Sequence, residues 1–226
     1  MELYEKLLQN AVTALNRGEP QLDAHLLDRA GDLRRGLTIV VRPSPMVRDN
    51  VKDFIDRLTA ICPGQHFYQP EELHVTVLSI ISGTELWQKE MLQLDVYRAI
   101  IHNVLSKQRS FELKFKGVTA TPNSVMVQGF PAGNGLDIIR DELRTAFARS
   151  GFSSQLDRRY KISAAHMTVM RFRQPKTDWK SLLALLEEGR NLYFGTMQVS
   201  HLQLIQADWY LSVDSVQLLD EYPLVS

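Results

Sequence analysis

An α+β fold of two related lobes, each an antiparallel or mixed sheet flanked by helices, is predicted by three observations. Short β-rich runs alternate with amphipathic helical segments along most of the 226 residues. The order strand-helix-strand-helix-strand occurs twice, over about 37–120 and again over about 125–205. Each half also places a His-x-Thr in its central strand, His74-Val75-Thr76 in one and His166-Met167-Thr168 in the other.

The elements follow in order. Leu3, Leu7, Leu8, Val12 and Leu15 recur at helical spacing until Gly18 and Pro20 interrupt. Leu22, Leu26 and Leu27 predict a second short helix over 22–30, so residues 1–35 read as a helical extension docked on a two-lobed domain, 36–226. Leu37 to Val41 is a strand, stopped by Arg42-Pro43-Ser44-Pro45. Val47, Val51, Phe54, Ile55 and Leu58 mark a helix, and Cys62 at its end reads as a half-buried structural thiol. A strand over 73–81, a long helix over 86–105 and a strand over 111–120 complete the first half. In that last strand Phe111, Leu113 and Phe115 alternate with Glu112, Lys114 and Lys116, the pattern of a half-exposed antiparallel strand. The second half repeats the order: strand 125–130, a helix through Leu136, Ile139, Leu143 and Phe147, strand 165–172, helix 179–186 and strand 194–205. A final alternating strand is expected over 209–219.

Lys plus Arg and Asp plus Glu both number 26, so the formal net charge is zero. An extended nucleic-acid grip normally leaves a basic excess, whereas a small nucleotide or an RNA end needs only a few local cations. A single cysteine excludes an intrachain disulfide and a Cys-based zinc site. The first residues lack the basic-then-apolar order of a signal peptide, and no apolar run approaches the roughly 18 residues of a membrane span. A cytoplasmic monomer without a membrane partner is expected.

The chemistry lies in the paired motifs. Strand side chains alternate, so His74 and Thr76, like His166 and Thr168, share one face with Cα atoms about 6.6 Å apart. Val75, Val77, Met167 and Val169 turn to the opposite face, under the helices. Composition gives a histidine followed by apolar-Thr-apolar about one time in fifty. Two such matches among six histidines, in the same element of an apparent repeat, are hard to assign to chance. Cleaving a phosphodiester requires a proton removed from the attacking oxygen and one given to the leaving oxygen. Imidazole titrates near neutrality and suits both tasks. The threonine hydroxyls are short neutral donors for non-bridging oxygens. Neither motif supplies the third ligand a two-histidine metal site would want, so no metal or other cofactor is expected.

Pro70-Glu71-Glu72-Leu73-His74-Val75-Thr76-Val77-Leu78 closely resembles the first motif of the two-histidine phosphoesterases, the superfamily that includes bacterial 2'-5' RNA ligase and cyclic phosphodiesterase proteins. Ala165-His166-Met167-Thr168-Val169-Met170-Arg171 resembles their second motif. The resemblance covers nearly the whole chain after residue 36. It implies a bilobal α+β fold whose two motifs face each other across a central cleft. It further implies acid and base roles for His74 and His166, phosphate contacts for Thr76 and Thr168, and a nucleotide or RNA-end phosphodiester as substrate.

Further candidates surround the motifs. Arg171 matches the basic residue that often follows the second motif. It lies five positions after His166, however, and a regular strand would point it away from the cleft, so a bulge or strand end is required there. Tyr68 and Tyr160, each six residues before a motif histidine, are candidates to stack a base or close the cleft. Arg158, Arg159 and Lys161 read as a solvated basic loop, and Arg34-Arg35 as a charged cap on the first strand. His25, His66, His102 and His201 carry no pattern. Three functions remain open at this point: hydrolysis of a 2',3'-cyclic phosphate or 2'-5' linkage, RNA 2'-5' ligation or end-processing with the same residues, and nucleotide binding without turnover.

Overall fold

The computed structural model describes residues 2–88, 93–152, 156, 163–176 and 178–226. Five helices run α1 (Glu2–Asn16), α2 (Pro45–Ile61), α3 (Leu94–Leu105), α4 (Gly135–Arg149) and α5 (Lys180–Glu188) among the described residues. Nine strands accompany them: β1 (Arg35–Val41), β2 (His66–Phe67), β3 (Val75–Thr84), β4 (Phe111–Thr121), β5 (Ser124–Pro131), β6 (Ala165–Arg171), β7 (Tyr193–Val199), β8 (His201–Asp208) and β9 (Gln217–Pro223). They form a four-stranded sheet, β3-β1-β8-β9, and a five-stranded sheet, β2-β6-β5-β4-β7, with every pairing antiparallel. The α+β architecture of two helix-backed sheets expected from the sequence is the one observed.

The two sequence halves do not divide into the two sheets as a simple tandem repeat would. β4, from the first half, pairs with β5 through a tight hairpin in which Thr121 opposes Ser124. The run expected as one strand over 194–205 breaks at Ser200, with β7 joining the five-stranded sheet and β8 the four-stranded one. Each sheet is therefore completed by two strands from the other part of the chain, β2 and β4 in the five-stranded sheet and β8 and β9 in the four-stranded one. Local hairpin closure is what captures β4, since a short turn between two apolar strands closes with little loss of entropy.

Three other elements differ from expectation for local reasons. The helix expected over 22–30 is only a 3-10 turn, Ala24–Leu26. Backbone N–H groups of Gln21 and Asp23 donate instead to the carbonyls of Pro122 and Phe172, tying this segment down in extended form. The helix expected from residue 86 is observed as α3 from Leu94, and residues 89–92 lie outside the described ones. The last strand starts at Gln217 rather than 209, because the Asp208 carboxylate accepts from the N–H groups of Tyr210 and Ser212, both at 3.0 Å, and folds the chain into a turn. Cys62 is fully rather than half buried, at the C-cap of α2, and burial pushes its thiol pKa up.

Each sheet buries one face. α2 and α5 pack on the five-stranded sheet, while α3 and α4 pack on the four-stranded sheet. The other faces meet where β3 approaches β6 and open into a cleft. α1 lies against β4 and contributes Leu3 and Leu7 to the cleft wall. Its Tyr4 is buried, and the hydroxyl reaches the carbonyls of Gly129 at 3.1 Å and Ala165 at 2.9 Å. Burial pushes that phenol up to about 12, so it stays a neutral donor. Tyr4→Phe is expected to lower the unfolding free energy by about 1–3 kcal/mol, since it leaves buried carbonyls short of a partner. Urea denaturation measures this, and an unchanged midpoint would mean that α1 is held by its leucines alone.

Candidate active site

Both motif strands deviate from regular pairing at the same place. In β3, Thr76 opposes Val40 and Leu78 opposes Ile39, so Val77 is an extra residue. In β6, Thr168 opposes Met126 and Met170 opposes Val125, so Val169 is an extra residue. A bulge reverses which face the following side chains take. Val77, Leu78, Val169 and Met170 all enter the core, and the next residues, Ser79 and Arg171, return to the cleft. Arg171 thus reaches the cleft by the bulge that its offset required.

The cleft has a volume of about 490 Å³ and brings together His74, Thr76, His166, Thr168, Tyr68 and Arg171. Tyr68 follows β2, is almost fully buried, and its N–H donates to the Val169 carbonyl at the bulge. Its hydroxyl accepts from Arg171 Nε at 2.9 Å, which orients the guanidinium. Tyr68 therefore holds Arg171 rather than standing exposed at a loop. Tyr160, with Arg158, Arg159 and Lys161, lies outside the described residues. Arg34 forms a two-pronged pair with Asp32, at 2.7 and 2.6 Å, and Arg35 donates to the carbonyls of Asp32 and Arg34.

The histidines are held differently. His74 Nδ1 lies 2.7 Å from the Glu72 carbonyl. A carbonyl only accepts, so Nδ1 carries the proton and Nε2 keeps its lone pair while the ring is neutral. The Glu72 carbonyl is itself fixed. The Glu72 carboxylate accepts from the N–H groups of Gln69 and Val213, and Arg42 donates to the carbonyls of Glu71 and Leu73 on either side. His166 Nδ1 is buried with no hydrogen-bond partner among the described residues. Burial, opposed by the Glu72 hydrogen bond and reinforced by Arg42, His166 and Arg171, pulls His74 down to about 3. Burial together with Arg140 and Arg171 pulls His166 down to about 4. Both rings are neutral at pH 7 before an anion binds, and an arriving anion favours their protonated forms.

Arg140, on α4, went unnoticed in the sequence. It is 1% exposed, and its guanidinium donates to four backbone carbonyls. Thr76 and Val77, at the bulge of β3, accept at 3.0 and 3.0 Å. Ser163 and Ala164, just before His166, accept at 3.1 and 2.9 Å. One side chain therefore joins the strands that carry the two histidines. Its signal was its position: Arg140 stands on the apolar helical stripe of Leu136, Ile139, Leu143 and Phe147. Among the described residues, no group of three or more His, Cys, Asp or Glu is placed to hold a metal ion, and no helix is long and apolar enough to cross a membrane.

The sequence matches the family model of the AKAP7 2'5' RNA ligase-like domain over residues 37–215. Solved structures share the fold. TT0787 of Thermus thermophilus aligns with a TM-score of 0.65 at 16% identity, covering 84% of this chain and 97% of that one. Escherichia coli LigT in complex with 3'-AMP aligns with a TM-score of 0.55 at 14% identity, covering 85% and 99%. ATU0111 of Agrobacterium tumefaciens aligns with a TM-score of 0.56 at 15% identity, covering 88% and 94%. No curated protein matches the sequence.

Two outcomes follow for stability. Arg140→Met leaves the buried Val77 carbonyl and three partly buried ones without their guanidinium partner and is expected to cost about 2–4 kcal/mol in chemical denaturation. The depressed histidines set the acid limb. Unfolded imidazole titrates near 6.5, so stability is full above that pH and falls as protons bind the unfolded chain on the way toward pH 4. Each of His74 and His166 should remove up to about 2 kcal/mol between pH 7 and pH 5. His66, likewise pulled down to about 4 by burial, adds a third share, so replacing His74 and His166 with asparagine should remove about two thirds of this limb, and an equally steep limb would place the effect elsewhere.

Proposed function

Because the chain belongs to the 2'-5' RNA ligase-like family of the two-histidine phosphoesterase superfamily, we propose that it hydrolyses a nucleotide or RNA-terminal phosphodiester, a 2',3'-cyclic phosphate or a 2'-5' linkage, by acid–base catalysis between His74 and His166. The observation that carries this reading is that two bulged His-x-Thr segments face one cleft beside Arg171, which Tyr68 tethers. The structures of Escherichia coli LigT with 3'-AMP and with ATP support a nucleotide as the ligand.

In this reading His74 is the base. Its Nδ1 proton is committed to the Glu72 carbonyl, so Nε2 takes the proton of the attacking water as the water oxygen bonds to phosphorus. His166, protonated once the anion is bound, gives its proton to the leaving oxygen as the ester bond breaks. Thr76 and Thr168 donate to the non-bridging oxygens, and Arg171 offsets their charge from the position Tyr68 gives it. The same displacement with a hydroxyl in place of water opens a 2',3'-cyclic phosphate into a 2'-5' diester: His74 takes the proton of the attacking hydroxyl, His166 protonates the 3'-oxygen that leaves, and the outcome is ligation.

Turnover of a panel of 2',3'-cyclic nucleotides and 2'-5' dinucleotides in EDTA tests the proposal. Activity should survive chelation and fall by about 10²–10⁴ in His74→Ala and in His166→Ala. Loss of activity in EDTA, or full activity in either variant, would sink the mechanism. The depressed pKa values add a second signature. kcat/KM, which reports the free enzyme, should fall as pH rises from 5 to 8, while the corresponding limb in kcat sits at higher pH because bound phosphodiester favours protonated His166. A kcat/KM that rises over that range would contradict the assignment.

A further inference from the structure

The two bulges make Ser79 and Arg171 equivalent positions, each five residues after its motif histidine and each turned into the cleft. The equivalence exposes an asymmetry. One half of the cleft receives a guanidinium there and the other a hydroxyl. Around Ser79 the surface continues in the same chemistry. Thr38 lies directly across on β1, and Ser82 Oγ is 3.5 Å from Ser79 Oγ. Both line the cleft.

Charge on this side is neutral to negative among the described residues. Asp208 lines the same wall paired with Arg29 at 3.4 Å, and the nearby Arg34 is neutralised by its two-pronged pair with Asp32. Gly83 completes the wall: a Cβ there would lie 3.1 Å from Cε3 of Trp209, so the indole closes directly over the strand. Among the described residues, Thr38, Ser79 and Ser82 themselves offer a second phosphate only neutral hydroxyls, while the guanidinium of Arg171 lies over the Trp209 ring, 5.9 Å from its centroid. A sugar would meet hydroxyls that rotate to donate or accept, with an aromatic wall beside them.

We infer that the four-stranded-sheet half of the cleft is a subsite for the neutral sugar of the substrate, formed by Thr38, Ser79 and Ser82, and that it disfavours a second phosphate on that side. This rests on the reading of the cleft as a phosphodiester site and specifies which half holds which part. The phosphorus lies between the histidines, its charge drawn to Arg171, and the sugar lies over β1 and β3.

Calorimetric binding of inorganic phosphate, cytidine 3'-monophosphate and pyrophosphate to the intact protein tests the assignment. The double variant Thr38→Val with Ser79→Ala, nearly isosteric and therefore expected to fold, should weaken the nucleotide about tenfold and leave inorganic phosphate within about twofold. Ser79→Arg restores the missing cation and should strengthen pyrophosphate relative to phosphate about tenfold. Equal loss for nucleotide and phosphate in the double variant, or no loss for either, would overturn the sugar subsite. So would Ser79→Arg binding pyrophosphate no better than wild type does. In those cases wild-type phosphate binding and ester turnover still stand, and only the subsite falls. A wild-type protein that binds no phosphate and cleaves no ester instead removes the phosphodiester reading and the subsite with it.

Discussion

The site depends on one buried cation. Arg140 sits where β3 and β6 meet, and its guanidinium donates to the carbonyls of Thr76 and Val77 on one side and of Ser163 and Ala164 on the other. A bulge leaves backbone groups out of register with the neighbouring strand, and buried groups of that kind must find another partner. Val77 is such a residue, and its carbonyl finds Arg140. Taking a guanidinium out of water is expensive by itself, but four charge-assisted hydrogen bonds in a fixed fork offset that expense, which a lysine's three donors would not reproduce. The fork ties the two motifs together: one ends at Thr76, where Arg140 begins its contacts, and the other starts just after Ala164, where it finishes them.

The bulges do more than expose carbonyls. They convert the strict alternation of a strand into a pattern with two successive core residues, Val77-Leu78 and Val169-Met170, followed by a cleft residue. Each strand thereby delivers a histidine, a threonine and one further side chain to the same face. On the proposed reading the two strands share the acid–base pair and differ at Ser79 and Arg171 in what else they offer a substrate. The electrostatics point the same way. Two neutral histidines leave Arg171 as the cation beside them among the described residues, so an anion is attracted there without two imidazoliums being held side by side.

Much of this was legible from residue types and spacing. The α+β class, the core faces of β3 and β6, and the pairing of the His-x-Thr motifs follow from period-two and period-3.6 patterns. So does the need for a bulge before Arg171, because an odd offset cannot share a face in a regular strand. What was not legible depends on long-range contact. Periodicity finds β4 as a strand and β7 and β8 as one continuous run, but does not say which sheet each joins, and hairpin closure decided that for β4. A buried arginine on an apolar stripe looks like a flaw in the stripe until the carbonyls it meets, contributed by segments far away in the chain, are known. The short helix expected over 22–30 lost to backbone pairing with Pro122 and Phe172, partners invisible to a local pattern.

The N-terminal helix shows how far the site's supports extend beyond the family match, which begins at residue 37. Read alone, residues 1–16 are an amphipathic helix that any apolar surface would accept. In place, Tyr4 reaches the carbonyl of Ala165, the residue directly before His166, and the Tyr4 carbonyl accepts from Thr119 on β4. The strand start that Arg140 holds from one side, through Ser163 and Ala164, is thus held from the other side by α1. Among the described residues, His166 has no hydrogen bond at Nδ1 to fix its ring. Its position then rests on the backbone that carries it, and that backbone is clamped by a helix from outside the matched region and by an arginine from within it.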